Sequence, residues 1–158
     1  MITSLGLTTA SNLSALESGT IGIHTVDDLE LYPGPVSLSL VENKPLNEKF
    51  DKILLEVKSN TPAGSFTRLE KLFILSVSDA LKNSNILPEN PRTLFVLSST
   101  KGNINLLEER HKTTFSHKRL YLWEMGRIIQ KFFGFANPPV IISNACISGV
   151  MAIMTASR

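Results

Sequence analysis

The chain has a single cysteine, Cys146, so it can form no internal disulfide, and one free thiol fits a reducing compartment. No apolar stretch reaches the roughly 20 residues that a helix needs to span a bilayer. Met1 to Ala10 also lacks the charged start and apolar run of a signal peptide. These absences predict a cytoplasmic protein with no membrane partner. Charge of one sign is scarce too. The formal net charge is +2, and Lys and Arg are spread along the sequence, so nucleic acid is not an implied partner. No internal repeat or low-complexity tract is present. What is there is a chain of 158 residues, 42% hydrophobic and 19% charged, long enough to bury one core, and one domain over residues 1–158 is the expectation.

Ile2 to Leu7 reads as a short strand, and Leu13 to Ser18 as a brief helix stopped by Gly19. From Ile21 to Lys58 the pattern predicts an irregular excursion with a strand or two. Val36, Leu38 and Leu40 alternate with serines there, while Pro33, Gly34, Pro35 and Pro45 punctuate. Organisation then sharpens. Thr67 and Glu70 have the spacing of a capping box, followed by Leu69, Leu72, Phe73, Val77, Ala80 and Leu81 at amphipathic helical positions. Thr93 to Leu97 is an apolar run of the kind buried on both faces of a sheet, and a turn follows from Ser98 to Asn103. Leu106 and Leu107 begin a short helix. Leu122, Met125, Ile129, Phe132 and Phe133 mark a longer one closed by Gly134, and Val140 to Ser143 is a second apolar strand. Helices alternating with apolar strands predict an α/β domain with a largely parallel sheet. The last segment, Ile147 to Met154, is apolar on all sides, as in a fully buried helix. It reaches Arg158 without a capping signal, and the expectation is a chain that continues and covers it.

A free cysteine is more often packing than chemistry, so its position has to decide. Cys146 lies where an apolar strand turns into a helix, which exposes a side chain at the sheet's C-terminal edge and aims the helix N-terminus at its sulfur. Backbone amides and the positive dipole end there favour the nucleophilic thiolate. Ser148 and Gly149 follow, and Gly149 has no side chain to block close approach.

Ser143-Asn144-Ala145-Cys146-Ile147-Ser148-Gly149 resembles the active-site signature of the β-ketoacyl synthases, members of the thiolase superfamily. The resemblance runs through most of the chain in the family's order. Leu5-Gly6-Leu7 and Gly19 to Ile23 are similar to its opening strand and Ser-Gly-Ile turn, Thr67 to Glu70 to the start of its next helix, and Val96 to Ile104 to the strand and glycine-rich loop lining the acyl pocket. The resemblance implies the N-terminal half of a thiolase-like fold, a mixed, mostly parallel sheet flanked by helices. It implies Cys146 as acyl-accepting nucleophile with its backbone N–H in the oxyanion hole, Ala145, Ser148 and Gly149 in the nucleophile turn, and Lys101, Gly102 and Asn103 in the acyl-pocket loop. The partners it implies are acyl carrier protein, in acyl and malonyl forms, and a second copy of the chain meeting it near Pro139 to Asn144. No cofactor and no metal are implied. The family's decarboxylating histidines and supporting lysine lie well beyond the cysteine, so none is carried over, and the chain alone is expected not to condense.

His24, His111 and His117 fall outside any family motif and read as surface or loop residues. Lys101 stands where the family has an apolar residue, and Asn103 replaces a glycine. Lys101 is either a tunnel residue that disfavours a long saturated acyl chain or a solvated turn lysine. Lys112, His117, Lys118 and Arg119 form a basic cluster that either meets an acidic carrier protein or is a solvated face. Three other readings stand beside the ketosynthase: a thiolase, a non-catalytic chain-length partner, and a plain α/β interaction domain whose cysteine is buried packing.

Overall fold

The computed structural model describes residues 1–28, 32–108 and 115–157. They fall into two compact units, Met1–Ala63 with Lys71–Ser84, and Gly64–Glu70 with Asn85–Arg158. Both mix helices with short strands, as an α/β class requires. Among the described residues no helix is long and apolar enough to cross a membrane.

In the first unit, the predicted opening strand is a tight turn: Thr3 and Gly6 exchange backbone hydrogen bonds of 2.9 and 3.2 Å across a single bridge. The amide of buried Asn12 donates to the Gly6 and Thr8 carbonyls at 2.8 and 2.6 Å, drawing this segment inward. Helix α1, Thr9–Glu17, starts before the predicted Leu13 because Thr8 and Ser11 form a reciprocal capping box. Strands β1, His24–Val26, and β2, Val36–Leu38, pair antiparallel with Thr25 opposite Ser37. Helix α2, Asn43–Glu56, lies in what the sequence presents as irregular chain. Pro45 belongs to its first turn, where the missing N–H leaves no intrahelical bond unmade. Its buried side chains Leu46, Phe50 and Ile53 recur at helical spacing, and Ile74 and Leu75 complete the unit's buried apolar set.

Helix α3, Arg68–Lys82, has its first residues in the second unit and the rest in the first. The second unit is built on a two-stranded parallel sheet, β3, Val96–Ser98, beside β4, Val140–Ile142, with Leu97 opposite Ile141. No other described strand pairs with β4. Helix α4, Leu122–Phe133, ends at Gly134, whose φ of 72° is the left-handed cap that glycine supplies without strain. It packs on β4 through Gly126, where an added Cβ would come within 2.4 Å of the Ile141 Cδ1. Helix α5, Ser148–Ala156, packs on β3 and β4. The expectation of a fully buried helix is not met. Val150, Ile153 and Met154 are exposed, Ile153 at 73%, because sheet contacts cover only one side of α5.

Candidate active site

Because β3 and β4 run parallel, the loops leaving their C-terminal ends start at one edge of the sheet, and the Ser99 N–H donates to the Ile142 carbonyl at 3.2 Å there. One loop leads to Lys101, Gly102 and Asn103, the other to Cys146. The topology thus brings both predicted groups to the same edge.

Cys146 is exposed, in the middle of a 3₁₀ turn, Ala145–Ile147, between β4 and α5. The turn precedes the helix proper, so the cysteine sits just before the N-terminus of α5 and not in mid-helix. The described residues do not bury it. Ala145 has a φ of 43°, in the left-handed region that L side chains rarely adopt. Ser148, which is buried, fastens this conformation: its hydroxyl accepts from the Asn144 N–H and donates to the Ala145 carbonyl, both at 2.8 Å. Gly149 is exposed, and a Cβ added there would meet nothing within 4 Å. The protein itself does not need glycine at 149, and the approach to the turn stays open.

The loop after β3 is held differently. Gly102, with a φ of 55°, donates its N–H to the Ser99 hydroxyl at 3.1 Å, and a Cβ on it would strike Leu122 at 2.6 Å. Lys101 is exposed on the turn. Asn103 is only 1% exposed and turns away from solvent. Its amide nitrogen donates to Glu70 Oε1 at 3.1 Å and to the Arg119 carbonyl at 3.0 Å, while its oxygen accepts from the Thr67 hydroxyl at 2.7 Å. Both amide hydrogens of Asn103 are thus engaged within the chain.

Glu70 is the centre of that network. It closes the predicted capping box with Thr67 through bonds of 2.9 and 3.2 Å. It also pairs with Arg119, whose Nε donates at 3.0 Å and whose Nη2 makes a second contact to Glu70 Oε2. The same Nη2 reaches the Ser65 carbonyl at 3.0 Å, and the guanidinium stands over Phe115. Arg119 therefore leaves the basic cluster: its charge is spent internally. His117 and Lys118 of that cluster are exposed, while Lys112 and His111 lie outside the described residues. No sequence signal marks the Glu70–Arg119 pair, nor Glu124, a buried carboxylate with one oxygen on Arg127 at 2.9 Å and the other without a partner among the described residues.

The arrangement is an exposed thiol just before a helix N-terminus, on a turn braced by a neighbouring hydroxyl. Compared with models of known protein families and with curated proteins, the chain matches none.

Proposed function

We propose that the chain supplies the N-terminal part of a β-ketoacyl synthase of the thiolase-like fold, with Cys146 as the acyl-accepting nucleophile. The observation that carries this reading is the exposed Cys146 on a strained turn between a strand of a parallel pair and an apolar helix, inside a segment resembling the ketosynthase signature. In this reading the Cys146 thiolate attacks the thioester carbonyl of an acyl carrier protein, and the carrier thiolate leaves and takes a proton. The backbone N–H of Cys146 donates to the oxyanion of the tetrahedral intermediate. In the full reaction a malonyl thioester loses CO₂, its carbanion attacks the acyl-Cys146 carbonyl, and the Cys146 thiolate leaves. The homodimer contact of this reading lies near Pro139 to Asn144.

The first half of this sequence needs only the turn. The second needs decarboxylating histidines, and His24, His111 and His117 match no ketosynthase motif. The test is to incubate the purified chain with an acyl carrier protein thioester and to measure intact mass and β-ketoacyl product. The expected result is one acyl group on the chain, absent in Cys146→Ala, and no condensation product when malonyl carrier protein is added. A chain that iodoacetamide alkylates at Cys146 but that takes no acyl group overturns the assignment.

A further inference from the structure

In the first unit a groove of about 190 Å³ has the buried Ile53 and Leu75 among its lining. Its polar groups are Thr8, which stands just before α1, Lys49, Lys52 and Glu56 from α2, and Ser78, Asp79 and Lys82 from α3. Both carboxylates are already engaged. Asp79 accepts from the Thr9 N–H at 3.0 Å and the Thr9 hydroxyl at 2.8 Å, and these bonds hold it down at about 2. Glu56 pairs with Lys82 at 2.7 Å. Lys49 and Lys52, one helical turn apart, have no carboxylate at ion-pair distance among the described residues. Lys49 donates to the Leu7 carbonyl, one acceptor for an ammonium that carries three donors. Burial lowers its pKa, opposed by Asp79, so its charge is one that a further counter-ion would stabilise. The Ser78 hydroxyl has no hydrogen-bond partner among the described residues.

We propose that this groove binds a phosphate group, either as the free ion or as the end of a phosphorylated small molecule. Two ammonium groups and a hydroxyl line one concavity, and a tetrahedral oxyanion carries enough acceptor oxygens for all three. A carboxylate brings half the charge of a phosphate dianion and only two oxygens. The volume corresponds to about six water-sized groups, enough for the anion with part of its hydration shell. The Lys82–Glu56 pair at the rim is more than half exposed at both ends and offers weak competition.

The test is a titration of the purified chain, followed by NMR of the lysine side chains at constant ionic strength, with inorganic phosphate, glycerol 3-phosphate and chloride in separate arms. Saturable displacement of the Lys49 and Lys52 signals is expected with at least one phosphate compound and not with chloride. The Lys49 titration midpoint should rise on binding. Lys52→Gln, at an exposed position, should weaken binding about tenfold, the value of one charge-assisted hydrogen bond. Ser78→Ala should weaken it less. Tighter binding of inorganic phosphate assigns the free ion, and tighter binding of the ester assigns a phosphorylated small molecule. A shift that never saturates and matches the chloride arm overturns the site, as does an affinity unchanged in both variants.

Discussion

The two loops that leave the sheet edge after β3 and β4 are held in opposite ways. The first is clamped from within: Asn103 is buried and bonded to Glu70, Thr67 and Arg119, residues distant from it in sequence. Among the described residues the second is fastened by hydrogen bonds within itself, through the Ser148 hydroxyl to two backbone groups of the same turn and from the Ile147 N–H to the Asn144 carbonyl at 3.1 Å. The clamp engages both amide hydrogens of Asn103 and both carboxylate oxygens of Glu70 in structure. The self-held turn keeps its backbone in a rare conformation and leaves its thiol exposed.

The largest effect is expected from breaking the clamp. In Arg119→Met the carboxylate of Glu70, which has no exposure, loses its cation and keeps only the donors of Thr67 and Asn103. Removing one partner of a buried ion pair costs about 3–5 kcal/mol. Urea unfolding should show a loss of that order, while native-state alkylation of Cys146 keeps its rate, since no bond of the network reaches the turn. A loss below about 1 kcal/mol, the value for a surface pair, would erase the contrast between the loops.

Ser148→Ala tests the other side. It leaves the Asn144 N–H and the Ala145 carbonyl without their shared partner, at a cost of about 1–2 kcal/mol. Ala145 is then free to leave its φ of 43°, a conformation that itself costs on the order of 1 kcal/mol. The thiol should remain accessible but lose its aim. Acyl transfer to Cys146 should fall about tenfold or more, as misplaced reacting groups do, while iodoacetamide, which approaches from any direction, reacts at nearly the original rate. Equal losses in both reactions would mean that Ser148 supports only folding.

Local signals were legible in the sequence and distant pairings were not. The Thr67–Glu70 box, the glycine cap at 134 and the two apolar strands follow from spacing that a short window contains. The strand-to-helix position of Cys146 follows from the same local signals. Helix α2 was hidden because Pro45 reads as a breaker, although a proline in a first turn breaks nothing. Arg119 sits among basic residues in sequence, and its turn inward to Glu70, 49 residues away, leaves no periodic trace. The family resemblance puts Asn103 in the acyl-pocket loop, and its burial depends on three partners that no pattern connects. Gly126 carries a contact with Ile141 that only the packing of α4 on β4 creates.

The smallest effect, and the one that most directly separates structure from chemistry at the turn, is expected from Gly149→Ala. A Cβ at 149 meets no atom within 4 Å, and the residue lies in the first turn of α5 with an ordinary backbone conformation. Glycine in a helix costs roughly 0.5–1 kcal/mol relative to alanine, so the substitution should stabilise the chain by a few tenths of a kcal/mol to about 1 kcal/mol, less near a helix end than in its middle. If the open space beside Gly149 is the path by which an acyl thioester reaches Cys146, the same methyl obstructs it. Stability and acyl transfer should then move in opposite directions: a slightly higher urea midpoint, and an acylation rate lowered several-fold with little change in iodoacetamide reactivity. An alanine variant that is more stable and equally fast would show that the glycine serves neither the turn nor the approach, leaving Ser148 as the only neighbour of Cys146 with a part in the proposed chemistry.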